Sequence, residues 1–220
     1  TGGNIDTEGG AIYVAAGILM STDSFFVNNR ASLNDVGVGG AIYGVSGAVL
    51  QFVNNNFSHN YAGHHGGAIY MSGGSATLSV RNSVIDRNEA KYGGAGIFCQ
   101  YGTCTVLKSI IRDNQVLAQT NYYGGAAVWV KYSGKLILVD SIVSNNSARD
   151  GNGDVFFTTN RVEPSIPTIY AINSIIRANV DNMVAGYAMG DAPSCNGTYN
   201  YCGTQSCSTA PTQCADNGYT

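Results

Sequence analysis

The chain of 220 residues is long enough for one domain with a continuous core, and its apolar fraction of 44% excludes a disordered protein. Charged residues make up only 11%, the net charge is −3, and no basic run occurs. We therefore expect no nucleic-acid partner and no attraction to anionic membranes. No apolar segment approaches the roughly 20 residues that a membrane-spanning helix needs, so membrane insertion is not expected.

Two short phrases alternate along the chain. The first has two small residues, a β-branched residue and an aromatic residue, as in Gly40-Ala41-Ile42-Tyr43. The second is Ser-x-(Phe/Ile/Val)-x-x-Asn, beginning with Ser24–Asn29, and one copy, Asn55–Asn60, has Asn in place of Ser. Further copies of the second phrase span 83–88, 109–114, 141–146 and 174–179. Each phrase returns about every 30 residues, which predicts a stack of one repeated unit.

The repeat is too short for a propeller blade, lacks the signature of leucine-rich repeats and leaves no room for an amphipathic helix. It predicts an all-β parallel β-helix (solenoid) of about six coils, with neighbouring coils about 4.8 Å apart. We predict that the β-helix spans residues 1–189. Residues 190–220 are predicted to form an irregular, Cys-rich C-terminal tail, which is disulfide-rich.

Aligned copies of the first phrase give two columns. The β-branched residue of each copy is predicted to point into the core. Alternation along a strand then places the next residue on the opposite face. The predicted surface aromatic column comprises Tyr13, Tyr43, Tyr70, Phe98, Trp129 and Phe156. Such a column could bind sugars or a protein partner. Loops that cover it, or a reversed face, are the alternatives.

The last residue of the second phrase predicts an asparagine ladder, in which each side-chain amide bonds the next along the stack. Ordinary turn asparagines with left-handed backbone are an alternative that is compatible with a ladder. The ladder members are Asn29, Asn60, Asn88, Asn114, Asn146 and Asn179. Charges also align between coils: Asp86 with Arg112, and Arg87 with Asp113. These pairs are predicted to be structural.

The six cysteines are Cys99, Cys104, Cys195, Cys202, Cys207 and Cys214. Their even count, and the absence of Cys-x-x-Cys, predict disulfides and an oxidising compartment, with connectivity open and buried free thiols as the alternative. Cys99 and Cys104 are close enough in sequence to bridge one turn. Three sequons predict glycosylation at Asn56, Asn145 and Asn196.

Candidate catalytic acids do not cluster. A polysaccharide lyase or hydrolase would need two or more carboxylates on neighbouring coils. The candidates are Asp23, Asp86, Asp113, Asp140, Asp150 and Asp154. Since Asp86 and Asp113 already align with arginines, we predict no catalytic residue and no cofactor.

Two segments have a weak resemblance to metal sites, and we predict no metal at either. His64 and His65, with His59 nearby, are interpreted as exposed turn residues rather than ligands. Asp150–Asp154 has the alternating oxygens of a calcium loop but lacks its later Gly and Glu. The segment is better explained as a degenerate sixth copy of the first phrase.

The phrases Gly39-Gly40-Ala41-Ile42 and Phe26–Asn29 resemble the polymorphic outer membrane protein repeat, and the resemblance covers roughly residues 8–180. It implies a right-handed parallel β-helix of the pectin lyase-like superfamily, located at the cell surface and used in adhesion.

We therefore expect an extracellular or cell-surface glycoprotein that is structural or adhesive and not an enzyme. The segment before Gly9-Gly10 is too short and polar to cap a coil, so the first coil either continues an upstream coil or stacks on another subunit. Stacking on another subunit predicts head-to-tail self-association into a filament. Glycans are a further possible partner. The alternative is a carbohydrate-binding or polysaccharide-cleaving β-helix.

Overall fold

The computed structural model describes residues 4–5, 8–32, 36–117, 124–148, 156–159, 167–177 and 184–186. Within these ranges there are 25 β-strands and no helix. The strands form four sheets in which paired strands run parallel. The predicted all-β parallel β-helix is confirmed.

Each sheet stacks the equivalent strands of successive coils, and we number the sheets I to IV in the order in which coil 1 passes through them. The strands of sheet I are Ile12–Val14, Ile42–Gly44, Ile69–Ser72, Ile97–Gln100, Val128–Lys131, Phe156–Thr159 and Val184–Gly186. The strands of sheet II are Gly17–Thr22, Ala48–Val53, Thr77–Arg81, Thr103–Leu107, Lys135–Val139 and Thr168–Ile172. The strands of sheet III are Phe25–Val27, Asn56–Ser58, Val84–Asp86, Ile110–Arg112, Ile142–Ser144 and Ile175–Arg177. The strands of sheet IV are Asn4–Ile5, Arg30–Ala31, Tyr61–Ala62, Glu89–Ala90, Gln115–Val116 and Ser147–Ala148.

One coil is one passage through sheets I to IV. Coil 1 begins at Ile12–Val14, and coil 6 begins at Phe156–Thr159. The strand Asn4–Ile5 lies beside coil 1 in sheet IV, and Val184–Gly186 lies beside coil 6 in sheet I. Sheets II and III therefore contain six strands each, as expected for about six stacked coils.

The core runs along the solenoid axis and consists of the inward-facing side chains of the sheets. Along Thr77–Arg81, exposed and buried residues alternate, with Leu78 and Val80 pointing inward. Phe26 and Phe57 stack face to face inside, with ring centroids 4.7 Å apart. Full burial of each large apolar side chain contributes about 1.5–3 kcal/mol, so the interior provides most of the stabilisation.

The corner between sheets III and IV, which we call the asparagine corner, contains the predicted ladder. Oδ1 of Asn88 accepts hydrogen bonds from the backbone N–H and from Nδ2 of Asn60, at 3.0 and 2.8 Å. Nδ2 of Asn88 donates to Asn114 Oδ1 and to the Phe57 carbonyl, both at 2.9 Å. Comparable bonds join Asn29 to Asn60 and Asn114 to Asn146. All five side chains are buried, which confirms the ladder for them; Asn179 lies outside the described residues.

The left-handed backbone at this corner belongs to the residue before each ladder asparagine. These residues have φ between 51° and 57° and are Asn28, His59, Arg87, Asp113 and Asn145. The ladder asparagine itself is then free to turn its amide inward. The ladder and the left-handed turn therefore coexist, on adjacent residues.

The corner between sheets II and III, the serine corner, has a second ladder that the sequence analysis did not identify. Ser109 Oγ accepts the N–H of Ser83 at 3.1 Å and donates to the Leu107 carbonyl at 2.8 Å. Ser141 repeats the arrangement one coil further on. In coil 2 the amide of Asn55 replaces the hydroxyl and accepts the Ser24 N–H at 2.8 Å. The first and last residues of the phrase Ser-x-x-x-x-Asn thus mark two buried corners.

A disulfide joins Cys99 of sheet I to Cys104 of sheet II, so the predicted bridge across this turn is confirmed. Both cysteines are fully buried and belong to the core. Cys195, Cys202, Cys207 and Cys214 lie outside the described residues, as does the predicted tail at 190–220.

Candidate functional site

The outer face of sheet I carries the aromatic column. Register pairs Tyr13 with Tyr43, Tyr43 with Tyr70, Tyr70 with Phe98, and Phe98 with Trp129. Their neighbours Ile42, Ile69, Ile97 and Val128 are buried in the main core. Because successive residues of a strand face opposite ways, the aromatic rings lie outside the solenoid interior, as predicted.

The prediction of Phe156 as the sixth member of the aromatic column is wrong. Trp129 pairs with Phe157, whereas Phe156 pairs with Val128 and so occupies the β-branched column. The sixth copy lacks the regular Gly-Gly phrase, and the alignment slipped by one residue. A slip of one residue exchanges the two faces of a strand.

Exposure of the column changes along the axis. Tyr13 is 47% exposed and Tyr43 and Tyr70 are half-buried, but Phe98 and Trp129 are 1% and 2% exposed. The column is therefore a surface feature only in coils 1–3, and the prediction is wrong for Phe98 and Trp129.

A buried histidine covers part of the column in coils 4 and 5. The His65 ring stacks on Phe98 with centroids 4.7 Å apart, and its centroid lies 4.7 Å from that of Trp129 in an edge arrangement. Trp129 itself lies over Gly93, where an added Cβ would fall 2.3 Å from a ring carbon. Small residues in the loops before sheet I thus create the space in which Phe98 and Trp129 are buried.

The expectation that His64 and His65 are exposed is wrong. His65 is 6% exposed, and His64 is half-buried against it, with ring centroids 3.9 Å apart. Burial, together with the smaller effects of neighbouring His64 and Lys131, lowers the pKa of His65 to about 2. Burial also lowers the pKa of His64. His65 is therefore a neutral packing residue of this cluster, while His59 is exposed on the asparagine corner.

Three tyrosines and two polar residues meet where the chain passes from sheet I to sheet II. We call this group the tyrosine corner: Tyr70 and Ser72 of coil 3, Gln100 and Tyr101 of coil 4, and Tyr132 of coil 5. Gln100 Oε1 accepts from the Tyr70 hydroxyl at 2.7 Å and from Ser72 Oγ at 3.1 Å. The rings of Tyr101 and Tyr132 are parallel, with centroids 4.5 Å apart and planes at 9°. The sequence analysis identified only Tyr70 among these residues.

The hydroxyls of the tyrosine corner are close enough to influence one another. Burial raises the pKa of Tyr70, and the nearby hydroxyls of Tyr43, Tyr132 and Tyr101 raise it further. Burial likewise raises the pKa of Tyr43. Tyr43 and Tyr70 are therefore neutral hydrogen-bonding groups at physiological pH.

The backbone of Tyr101 and Tyr132 is left-handed, with φ of 67° and 56°. In coil 3 the same turn position is Gly73, with φ of 116°. Bulky residues rarely adopt this conformation, which disfavours an L-residue by roughly 1–2 kcal/mol. Stacking of the two rings returns only about 0.5–1.5 kcal/mol in total. Left-handed backbone also occurs at eleven other non-glycine residues of the described part of the chain, Arg87 and Lys108 among them, so it is a general feature of the turns of this solenoid.

The candidate acids of the described residues are engaged in structural contacts. Asp86 is 4% exposed and pairs with Arg87 at 2.9 Å and with Arg112 of the next coil at 3.7 Å. Arg112 also approaches Asp113 at 3.7 Å. Asp86 and Arg112 are register partners as predicted, but Arg87 pairs with its own neighbour Asp86, not with Asp113.

Two other acids lie on the serine corner. Asp23 and Asp140 have left-handed backbone and accept side-chain hydrogen bonds from Asn54 and Asn173 of the following coils. Asp150 and Asp154 lie outside the described residues. Among the residues that the structure describes, no group of three or more His, Cys, Asp or Glu is placed to hold a metal ion.

The sequons lie at three different places. Asn145 is an exposed turn residue with φ of 55°. Asn56 is in sheet III, and its Oδ1 is buried without a hydrogen-bond partner among the described residues. Asn196 lies outside the described residues. Glycosylation stays a prediction at all three.

Comparisons with known proteins give two similar chains. Probable autotransporter YfaL of Escherichia coli (strain K12) is 28% identical over an alignment of 215 residues, and the match covers 86% of this chain and 17% of that protein. Metabotropic glutamate receptor-like protein R of Dictyostelium discoideum is 34% identical over 136 residues, which is 61% of this chain and 8% of that protein. The chain thus spans a small part of either relative.

No protein-family model matches the chain, and no solved structure matches it. Membership of the polymorphic outer membrane protein repeat family therefore stays a prediction. Across the described residues, no helix has the length and apolar character needed to cross a membrane.

Proposed function

We propose that this protein is a non-catalytic structural or adhesive β-helix at the cell surface or outside the cell. We also propose that copies of it associate head to tail. Similarity to a probable autotransporter supports the location. The Cys99–Cys104 disulfide also supports it, because disulfides persist in oxidising compartments.

The positions of the exposed apolar side chains are the main support for head-to-tail association. In the described residues, exposed large hydrophobic side chains concentrate on coil 1 and coil 6. On coil 1 they are Tyr13, Ile18, Met20 and Phe25, and on coil 6 they are Tyr170 and Ile172. Val36, between coils 1 and 2, and Tyr101 complete the set. Contacts between the two end coils would remove this surface from water.

At coil 1, strand pairing and core burial both support the proposed association. Ile12 and Leu19 are only partly buried, whereas their register partners Ile42 and Leu50 are fully buried. The strands of coil 1 in sheets I, II and III pair with coil 2 alone among the described strands. A further parallel strand, from an upstream coil or from another copy, would complete both the pairing and the core, and the proposed association takes it from another copy. A contact between unlike ends does not close on itself and gives a filament.

Matched substitutions at one register position test this proposal. Met20 and Gln51 are register partners on the outer face of sheet II, and both are exposed. By sedimentation velocity over a range of concentrations, the wild type should form a concentration-dependent series of oligomers. Met20→Glu should shift it to monomer, and Gln51→Glu should leave it unchanged. A wild type that is monomeric at every concentration would contradict the proposal.

Glycosylation is part of the same proposal, and Asn145 is the best-exposed described sequon. Peptide mass spectrometry before and after glycosidase treatment of material from the natural source should show a mass change at this site. An unmodified Asn145 would contradict glycosylation at this site, and this result would not bear on the head-to-tail association.

A further inference from the structure

Two tyrosine rings of the tyrosine corner are stacked more closely than the other tyrosine pairs of the described residues. The centroids of Tyr101 and Tyr132 are 4.5 Å apart, with planes at 9°. The pairs Tyr13–Tyr43 and Tyr43–Tyr70 have centroids 5.3 and 5.0 Å apart, with planes at 59° and 79°. Since equivalent residues of neighbouring coils are separated by about 4.8 Å, the parallel rings lie nearly one above the other. Like edges of the two rings are therefore neighbours.

The backbone holds the two rings in this position. Tyr101 and Tyr132 each follow a strand of sheet I, and these two strands pair in register. The Tyr101 N–H donates to the Lys131 carbonyl at 3.2 Å, and Ser133 Oγ donates to the Tyr101 carbonyl at 3.4 Å. The two turns are thus fixed to each other, and the rings need no large motion to react with one another.

Access to solvent also distinguishes this pair. Tyr101 is 40% exposed and Tyr132 is half-buried, so an oxidant in solution can reach them. Burial raises the pKa of Tyr43 and of Tyr70, and the Tyr70 hydroxyl donates to Gln100 Oε1 at 2.7 Å. One-electron oxidation of a phenol also removes its proton, so a phenol that holds its proton firmly is oxidised less readily. The stacked pair is therefore the better site for phenol oxidation.

We propose that Tyr101 and Tyr132 are the site of an oxidative cross-link, a dityrosine that joins coil 4 to coil 5. Hydrogen peroxide, acting through a peroxidase, removes one electron and one proton from each phenol and is reduced to two molecules of water. The two phenoxyl radicals then form a carbon–carbon bond between ring positions ortho to the oxygens. The hydrogen on each bonded carbon moves to the oxygen of its own ring and restores the phenol. The chain loses two hydrogen atoms in total.

The surroundings of the pair suit this reaction. Bond formation requires the two rings to tilt toward each other at one edge, and the exposed position of Tyr101 allows such side-chain motion. The Cys99–Cys104 disulfide spans the turn that carries Tyr101 and supports an oxidising compartment. The new bond would fasten two neighbouring coils and, like a disulfide, constrain the unfolded chain.

Oxidation of the purified full chain by hydrogen peroxide and a peroxidase, at low protein concentration, tests the proposal. Peptide mass spectrometry should find the peptides of Tyr101 and Tyr132 joined, with two hydrogen atoms fewer than the separate peptides. Dityrosine fluorescence should fall about tenfold or more in Tyr101→Phe and in Tyr132→Phe, because neither variant can form both radicals. Both variants keep the aromatic ring and its stacking, so the fold is retained.

Two control variants separate this site from the other tyrosines. Tyr13→Phe removes one phenol of the Tyr13–Tyr43 pair, and Tyr61→Phe removes a phenol of sheet IV. Both should keep the yield of the wild type within about twofold, since the stacked pair is intact. The proposal is overturned if the oxidised wild type contains no dityrosine, if other tyrosines are joined instead, or if Tyr101→Phe keeps the wild-type yield. Neither Tyr101 nor Tyr132 lies on coil 1 or coil 6, so sedimentation tests the head-to-tail association independently.

Discussion

The asparagine corner and the tyrosine corner are both turns between sheets, yet they differ in how much they vary along the stack. At the asparagine corner each of coils 1–5 places a buried Asn after one left-handed residue. At the turn from sheet I to sheet II, length and residue type change from coil to coil. That turn is Ala15–Ala16 in coil 1, Gly73–Ala76 in coil 3 and Tyr101–Gly102 in coil 4.

The reason for this difference is physical. Each ladder asparagine bonds the coils on both of its sides, so a change at one coil leaves buried groups unpaired in its neighbours. The turn between sheets I and II is largely exposed and has no such requirement. Uniform columns in a solenoid therefore report on stability, and columns that change along the axis are the better candidates for function. The following predictions test this division.

The largest effect is expected in the middle of the asparagine ladder. Asn88→Ala removes the acceptor of two Asn60 donors and the donor to the Phe57 carbonyl, all of them buried. With about 1–3 kcal/mol for each unsatisfied group, we expect a loss of about 3–5 kcal/mol in unfolding free energy, measured in urea. Ser79→Ala, on the exposed face of sheet II, is the control and should stay within about 0.5 kcal/mol. A loss below about 1 kcal/mol for Asn88→Ala would show that the ladder is dispensable.

Acid should destabilise the protein through His65. Its pKa is lowered from 6.5 to about 2 on folding, so the folded state favours the neutral ring. This stabilisation is complete above pH 6.5 and decreases by about 1.4 kcal/mol for each pH unit below it. At pH 4.5 the unfolding free energy is therefore lower by about 2–3 kcal/mol.

The matched variants for this pH effect are His65→Phe and His59→Asn. Urea unfolding at pH 7 and pH 4.5 should show a smaller acid loss in His65→Phe, by about 2–3 kcal/mol. His59→Asn, at an exposed turn, should retain the acid loss of the wild type. Equal acid losses in all three proteins would contradict the burial of His65.

The disulfide should have a smaller effect because it closes a short loop. For Cys99 and Cys104, five residues apart, loop closure predicts about 2 kcal/mol. Added reductant should lower the unfolding free energy of the wild type by about this amount. The double variant Cys99→Ala/Cys104→Ala should start lower and be insensitive to reductant. Reductant sensitivity in that variant would assign the effect to the other cysteines.

The smallest effect is expected at the serine corner. Ser109→Ala leaves the Ser83 N–H without its acceptor and removes one bond to the Leu107 carbonyl. We expect a loss of about 1–2 kcal/mol in the same urea experiment, below that of Asn88→Ala. A larger loss than at Asn88 would reverse the ranking of the two ladders.

The sequence predicted those features that repeat in register. The ladder from Asn29 to Asn146 and the inward β-branched column follow from spacing alone, and spacing made Cys99–Cys104 one candidate bridge. The position of Phe156 was missed because the sixth copy lacks its Gly-Gly phrase, so nothing fixed the register there.

Features of the site that depend on contacts between coils could not be predicted. Burial of Phe98 and Trp129 involves Gly93 and His65, which belong to other repeats, so no single repeat shows it. For Tyr101 a usable signal existed: it replaces Gly73 at the same place after the strand of sheet I. A bulky residue at a glycine turn of a repeat is a pattern that can be sought in sequence.

Electron microscopy of the protein at neutral pH tests most directly whether the exposed end coils are an assembly surface. Six coils rise about 29 Å, so we predict filaments with an axial repeat slightly above that length. Met20→Glu should abolish the filaments, and Gln51→Glu should preserve them. Isolated short rods in the wild type would contradict head-to-tail assembly.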